Sequence, residues 1–143
     1  MPTMTQDLPP DSRTARALRV LVVDDNEALA TTLLWLIEGT GDEVEMCHSG
    51  PAALSLVQTF RPDVVLLDIG MPVMDGLQVC AALRADPEQA NLKIVAQSGY
   101  GDMAMQTRTT EAGFDKHLVK PVDFDELLEL LASFRQGLDR QQG

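Results

Sequence analysis

Short aliphatic runs and amphipathic stretches alternate along the chain. Val20-Leu21-Val22-Val23, Val64-Val65-Leu66-Leu67 and Ile94-Val95-Ala96 are continuous apolar runs bounded by polar residues. Such runs mark strands covered on both faces, whereas a half-exposed strand alternates. The pattern predicts strands over Arg19–Val23, Glu43–Cys47, Asp63–Leu67, Lys93–Gln97 and Lys116–Val119. Between them it predicts helices over Glu27–Glu38, Pro51–Phe60, Leu77–Ala85, Met103–Ala112 and Phe124–Phe134. In the first helix Leu29, Leu33, Leu36 and Ile37 make the apolar stripe, with Asn26 as N-cap and Gly39 as stop. Pro51 stands at an allowed first-turn position, Asp86-Pro87 ends the third helix, and Gly113 ends the fourth. Asp123 with Glu126 three positions on resembles a capping box. The fourth helix has a weak stripe, Ala104, Thr107, Arg108, Glu111 and Ala112, which predicts low local stability. Met103 and Met105 read equally as ordinary packing or as adaptable partner contacts.

Five strand–helix units with short connections predict one parallel sheet with helices on both faces. A length of 143 residues fits one domain. Residues 1–16 are polar, with Pro2, Pro9 and Pro10, and read as a flexible arm before a folded body over 17–136 and a tail over 137–143. Hydrophobic residues make up 45% of the chain and aromatics only 4%, so the core must be aliphatic. A net charge of −11 argues against a nucleic-acid or anionic-membrane surface. No apolar run approaches the ~18 residues of a membrane span, and the arm lacks the apolar core of a secretory signal. Cys47 and Cys80 read as buried free thiols. A cytoplasmic setting is the resulting expectation.

The chemistry lies where the runs end. Asp24-Asp25 follow the first strand, Asp68 the third, Ser98 the fourth and Lys120 the fifth. The carboxyl ends of parallel strands are where open α/β sheets place their functional sites. Three carboxylates on one rim repel: at ~5 Å and an effective dielectric of ~20, each pair costs about 3 kcal/mol. A divalent cation offsets that cost. Aspartate can attack phosphorus to form an aspartyl phosphate. Mg²⁺, a lysine ammonium and a hydroxyl would each bind one charged oxygen of the transferring group.

The chain resembles the receiver domains of two-component response regulators, the family of the chemotaxis regulator. The matching residues are Asp24-Asp25, the stretch Leu66-Leu67-Asp68-Ile69-Gly70-Met71-Pro72-Val73-Met74-Asp75-Gly76, Ser98-Gly99 and Lys120-Pro121, within a match over Ala17 to Phe134. The resemblance implies a flavodoxin-like doubly wound sheet with strand order 2-1-3-4-5. It implies Asp68 as phosphoacceptor, and Asp25, Asp68 and the Gly70 carbonyl as Mg²⁺ ligands, with Asp24 assisting through water. Ser98 resembles the hydroxyl that reports the phosphoryl group, and Lys120 the lysine that pairs with acceptor and phosphate. The Lys120-Pro121 bond is expected to be cis, as is cheap only before proline. A histidine kinase or phosphotransfer protein is the implied donor. The implied output is a changed surface on helix four, strand five and helix five that binds a protein target, with no separate substrate turned over. A stand-alone regulator and a receiver from a hybrid kinase look alike at this level.

Two positions depart from the family. His117 stands where many receivers carry Tyr or Phe. It reads either as a partly exposed residue of an edge strand or, with Ser98, as part of an altered and pH-sensitive switch. Tyr100, two after Ser98, and Gly70 border the approach to the phosphoryl group. His48 reads as a surface loop residue. A phosphohydrolase of the haloacid dehalogenase type needs a second Asp two after the first, and Gly70 stands there. A flavodoxin-like nucleotide site needs phosphate-binding donors after strand one, where Asp24-Asp25 would repel phosphate.

Overall fold

The computed structural model describes residues 17–99 and 103–142. Its elements are β1 (Arg19–Val23), α1 (Glu27–Glu38), β2 (Glu43–Cys47), α2 (Gly50–Phe60), β3 (Val64–Asp68), α3 (Gly76–Arg84), a short 3₁₀ turn (Pro87–Gln89), β4 (Lys93–Ser98), α4 (Met103–Ala112), β5 (Lys116–Val119) and α5 (Phe124–Gln142). The five strands form one sheet in the order β2-β1-β3-β4-β5, and every pairing is parallel. This is the expected strand order.

Two aliphatic layers hold the sheet. On one face Val20, Val22, Leu66, Val95 and Leu118 pack against Ala30, Leu33 and Ile37 of α1 and Leu127 and Leu131 of α5. On the other, Leu21, Val23, Val65, Leu67, Ile94 and Ala96 pack against Ala53 and Val57 of α2 and Val79, Cys80 and Leu83 of α3. The alternation of side chains along each strand sorts the continuous apolar runs into these two sets. Burying one Leu or Val contributes about 1.5–3 kcal/mol, so the sheet is the rigid platform of the molecule. Cys47 and Cys80 are buried and free.

Helix starts follow the expected chemistry. Asn26 accepts from the Leu29 N–H, and Asp75 with Gln78 forms a reciprocal capping box. α2 begins one residue earlier than expected, at Gly50, because the Ser49 hydroxyl caps it by accepting from the Ala52 N–H. Asp63 lies just before β3 instead of opening it; its carboxylate accepts from the Arg19 N–H. β4 continues through Ser98, since the Lys120 N–H still donates to the Ser98 carbonyl.

Two expectations need correction. α5 does not end at Phe134 but runs to Gln142, so the residues read as a tail over 137–142 continue the helix. Gly137 is the poorest helix former there, at a cost of ~1 kcal/mol, and the Arg and Gln residues around it favour helix. The buried side of α4 shares only Ala112 with the stripe read from the sequence. Thr109 is its buried residue, and Met105 and Ala112 pack on the core, while Ala104, Thr107, Arg108 and Glu111 face solvent. Without strong apolar periodicity, the facing side is set by the neighbouring Phe114 and α3. Met103 is exposed, so the two methionines divide between partner-accessible surface and packing.

Arg84 at the end of α3 ties down the end of α4. Its guanidinium donates to the carbonyls of Gly113 and Leu92 and to the Asp115 carboxylate, at 2.8–2.9 Å. Asp115 in turn accepts from the N–H of Ile94, the second residue of β4.

Gly76 starts α3 in close contact with the end of β3. A Cβ there would lie 2.7 Å from the Asp68 carbonyl oxygen and from the Ile69 Cα. Both obstacles are backbone, so neither can rotate away. Gly76→Ala is expected to destabilise the fold by about 1–3 kcal/mol, read as a lower denaturant midpoint at unchanged slope.

Candidate functional site

The sheet register builds the site. Val23 pairs with Leu67, and Ser98 pairs with Val119, so the ends of β1, β3, β4 and β5 share one rim. Asp24, Asp25, Asp68, Ser98 and Lys120 all stand at that rim, as expected from the sequence.

Asp24 and Asp68 are 0% and 5% exposed, an unusual depth for carboxylates. The Lys120 ammonium lies 3.3 Å from Asp24 Oδ2 and 3.3 Å from Asp68 Oδ1, bridging the two strands that carry them. The remaining polar capacity goes to main-chain donors. Asp24 Oδ1 accepts from the Asn26 N–H and Asp68 Oδ1 from the Gly70 N–H, each at 2.9 Å. Asp25 is exposed. The Lys120-Pro121 peptide is cis.

One carboxylate oxygen from each of Asp24, Asp25 and Asp68 falls within 4.8 Å of the others. In octahedral Mg²⁺ coordination at ~2.1 Å, opposite ligands stand ~4.2 Å apart. The three aspartates therefore fit one small divalent cation, and hard oxygen donors are the set Mg²⁺ prefers. One ammonium against three carboxylates leaves the site with a negative excess that such a cation would remove.

Ser98 and His117 lie on the other face of the sheet, toward α4, and meet there. Ser98 Oγ and His117 Nε2 are 2.9 Å apart. His117 Nδ1 is buried with no hydrogen-bond partner. The ring borders a cavity of about 300 Å³ whose other walls include Gln106, Thr109, Phe114, Asp115 and Lys116. His117 is partly exposed on the edge strand β5 and is also in contact with the Ser98 hydroxyl.

His48 lies in the loop after β2, as expected, and is half-buried there. Its Nδ1 is 2.9 Å from the Asp24 carbonyl oxygen. A carbonyl only accepts, so Nδ1 carries the proton and Nε2 is left unprotonated in the neutral ring. The β1–β2 register explains the contact, since Val23 pairs with Cys47; a single sequence does not reveal pairing. Val73, in the loop after Asp68, is fully exposed with φ +70°. That is a strained conformation for a β-branched residue. Tyr100 lies outside the described residues.

A family model for the response regulator receiver domain matches residues 20–132. The chain belongs to the response regulator receiver family. It is 36% identical over 111 residues to the response regulator MprA of Mycobacterium avium, and 36% over 112 residues to MprA of Mycobacterium tuberculosis. Each match covers 78% of this chain and 48% of the relative, so the chain spans about half the length of the curated relatives it matches. Among solved structures, the chemotaxis protein CheY4 of Vibrio cholerae superposes with a TM-score of 0.78 at 28% identity, covering 83% of this chain and 99% of that one. The receiver domain of a signal transduction histidine kinase from Syntrophus aciditrophicus gives 0.80 at 27%, covering 87% and 94%. The protein is a receiver domain of two-component signalling, a phosphoryl-accepting switch. No described helix is long and apolar enough to cross a membrane.

Burial pushes the His117 pKa below its ordinary value of 6.5. The unfolded chain then takes up this proton near pH 6.5, while the native state takes it up only at lower pH. The stabilising contribution of the neutral ring is thus complete above pH 6.5 and fades as pH falls through the native value. Stability of the native chain is expected to decline between pH 7.5 and 5.5, and His117→Gln to decline less. Denaturant titrations at a series of pH values test this; equal slopes for both chains would refute it.

Proposed function

We propose that Asp68 is the phosphoacceptor of this receiver, with a phosphohistidine of a histidine kinase or phosphotransfer protein as donor. The observation that supports this most directly is the Lys120 ammonium held between two buried carboxylates beside an exposed third. In the transfer, one Asp68 oxygen attacks phosphorus. The O–P bond forms as the N–P bond breaks. The electron pair of the broken bond stays on the donor imidazole, whose other ring nitrogen carries a proton, so the ring leaves neutral.

Each surrounding group has a role in this reading. Asp25, Asp68 and the Gly70 carbonyl would hold Mg²⁺, with Asp24 assisting through water; when bound, the ion would neutralise the carboxylates and withdraw charge from a phosphoryl oxygen. The Gly70 N–H and Lys120 fix the Asp68 carboxylate, so attack begins from one orientation. Lys120 shifts from the carboxylates to a phosphoryl oxygen as charge builds there. The Ser98 hydroxyl binds another. Because Ser98 is already in contact with His117, its displacement draws the ring of β5 along and alters the face made by α4, β5 and α5. The output is association with a protein target.

α4 suits that role. It buries little, so its local stability is low. Met103 beside it and Val119 and Phe124 nearby are exposed apolar residues on the face that would change. The receiver does not turn over a separate substrate; its chemistry is gain and loss of its own phosphoryl group.

Wild type incubated with Mg²⁺ and acetyl phosphate is expected to gain one phosphoryl group by intact mass. Asp68→Asn is expected to gain none while unfolding as wild type does, and a chelator to block the wild-type gain. A hydroxylamine-labile phosphoryl group on Asp68→Asn would assign the nucleophile elsewhere.

A further inference from the structure

Gln97 is 1% exposed, and neither its Oε1 nor its Nε2 has a hydrogen-bond partner. Native proteins rarely bury such groups unpaired, and each one calls for an account. In the sequence a carboxamide directly follows the run Ile94-Val95-Ala96.

The register says what Gln97 stands beside. Directly paired residues of parallel strands share a face. Gln97 pairs with Asp68 on one side and Leu118 on the other, and Asp24 follows Val23, the partner of Leu67. Asp24, Asp68, Gln97 and Leu118 therefore form one row across β1, β3, β4 and β5. Leu66 and Val95, two residues back, and Leu118 itself pack against α1 and α5, which fixes the face. Lys120 lies two residues past Leu118 and projects from that same face. To reach Asp68 and Asp24, the Lys120 stem must cross β4. By the register Lys120 stands one level beyond the Ser98–Val119 pair, and Gln97 is the residue of β4 on that face directly beside Asp68.

Neighbouring strands are about 4.8 Å apart, within reach of so long a side chain. Oε1 can only accept and the ammonium only donates; Nε2 donates and a carboxylate or its ester oxygen accepts. The two unpaired atoms complement the two ends of the ion pair beside which they lie.

We propose that Gln97 is a positioning residue that stabilises the phosphorylated state through Lys120 and Asp68. The proposal rests on the phosphoacceptor reading above. In the resting state Lys120 is held by the two carboxylates, and the carboxamide is left out. When a phosphoryl group on Asp68 draws Lys120 outward, the carboxamide turns, Oε1 accepts from the ammonium, and Nε2–H donates to the Asp68 oxygen not bonded to phosphorus. Contacts made in only one state shift the equilibrium toward it. An apolar residue at this position would be indifferent to the two states.

The test uses the full chain with Mg²⁺ and beryllofluoride, a stand-in for the bound phosphoryl group. Two measurements are made: the side-chain NH₂ resonances of Gln97 in wild type, and beryllofluoride affinity in wild type and Gln97→Met, a change that keeps length and removes both polar atoms. On beryllofluoride addition, a Gln97 NH₂ proton is expected to move downfield. Gln97→Met is expected to bind about fivefold more weakly, as for loss of an ordinary hydrogen bond, while unfolding at no lower denaturant concentration. A purely structural Gln97 would leave the affinity and the NH₂ signals unchanged, and that result overturns the proposal. A wild type that neither binds beryllofluoride nor gains a phosphoryl group from acetyl phosphate overturns the phosphoacceptor reading, and this proposal with it.

Discussion

Everything at the rim is organised by one electrostatic constraint: Asp24 and Asp68 are buried side by side and share a single ammonium. Buried carboxylates are costly unless paired and hydrogen-bonded. Here the pairing is incomplete, because Lys120 stands 3.3 Å from each and Asp25 adds a third carboxylate within 4.8 Å. The site is therefore a place of stored repulsion in an otherwise apolar framework. Cation binding relieves it, and so does a chemical change that converts one carboxylate into an ester and moves its charge outward. The aliphatic layers on both faces of the sheet make this tolerable, since they supply the stability that the rim gives up.

The fold was legible because its signals are strong and local. Continuous aliphatic runs mark doubly covered strands, and Asn26, Ser49 and Asp75 cap helices by contacts within a few residues. The strand order came from the family resemblance, and the five rim residues came out together because each closes one of those runs. The misses share a physical cause. Thr109 and not Ala104 faces the core because α4 has too little apolar periodicity to orient itself. α5 outlasts Phe134 because a lone glycine is a weak terminator in a long helix. His48 and Gln97 matter through residues on neighbouring strands, and a linear pattern carries no record of which strands pair. Gln97 stands at the end of an aliphatic run, and its meaning needs Asp68 as its register partner.

The two faces of the sheet also divide the labour. Asp24, Asp68, Gln97 and Lys120 gather on the side of α1 and α5, where phosphorus chemistry is proposed. Ser98 and His117 gather on the side of α4, where the signal would leave. Adjacent residues of β4, Gln97 and Ser98, thus point to opposite layers, and the strand itself connects input to output.

The guanidinium of Arg84 gives α4 a distinctive mechanical character. It holds the carboxyl-terminal end of that helix through Gly113 and Asp115, together with Leu92 at the start of β4. The other end of the helix, at exposed Met103, stands nearer the rim. α4 is thus a lever with its fulcrum at Arg84. A displacement of Ser98 and His117 would swing the helix about that point, so that the largest excursion falls at exposed Met103 and a small chemical event is geometrically magnified where a partner could feel it.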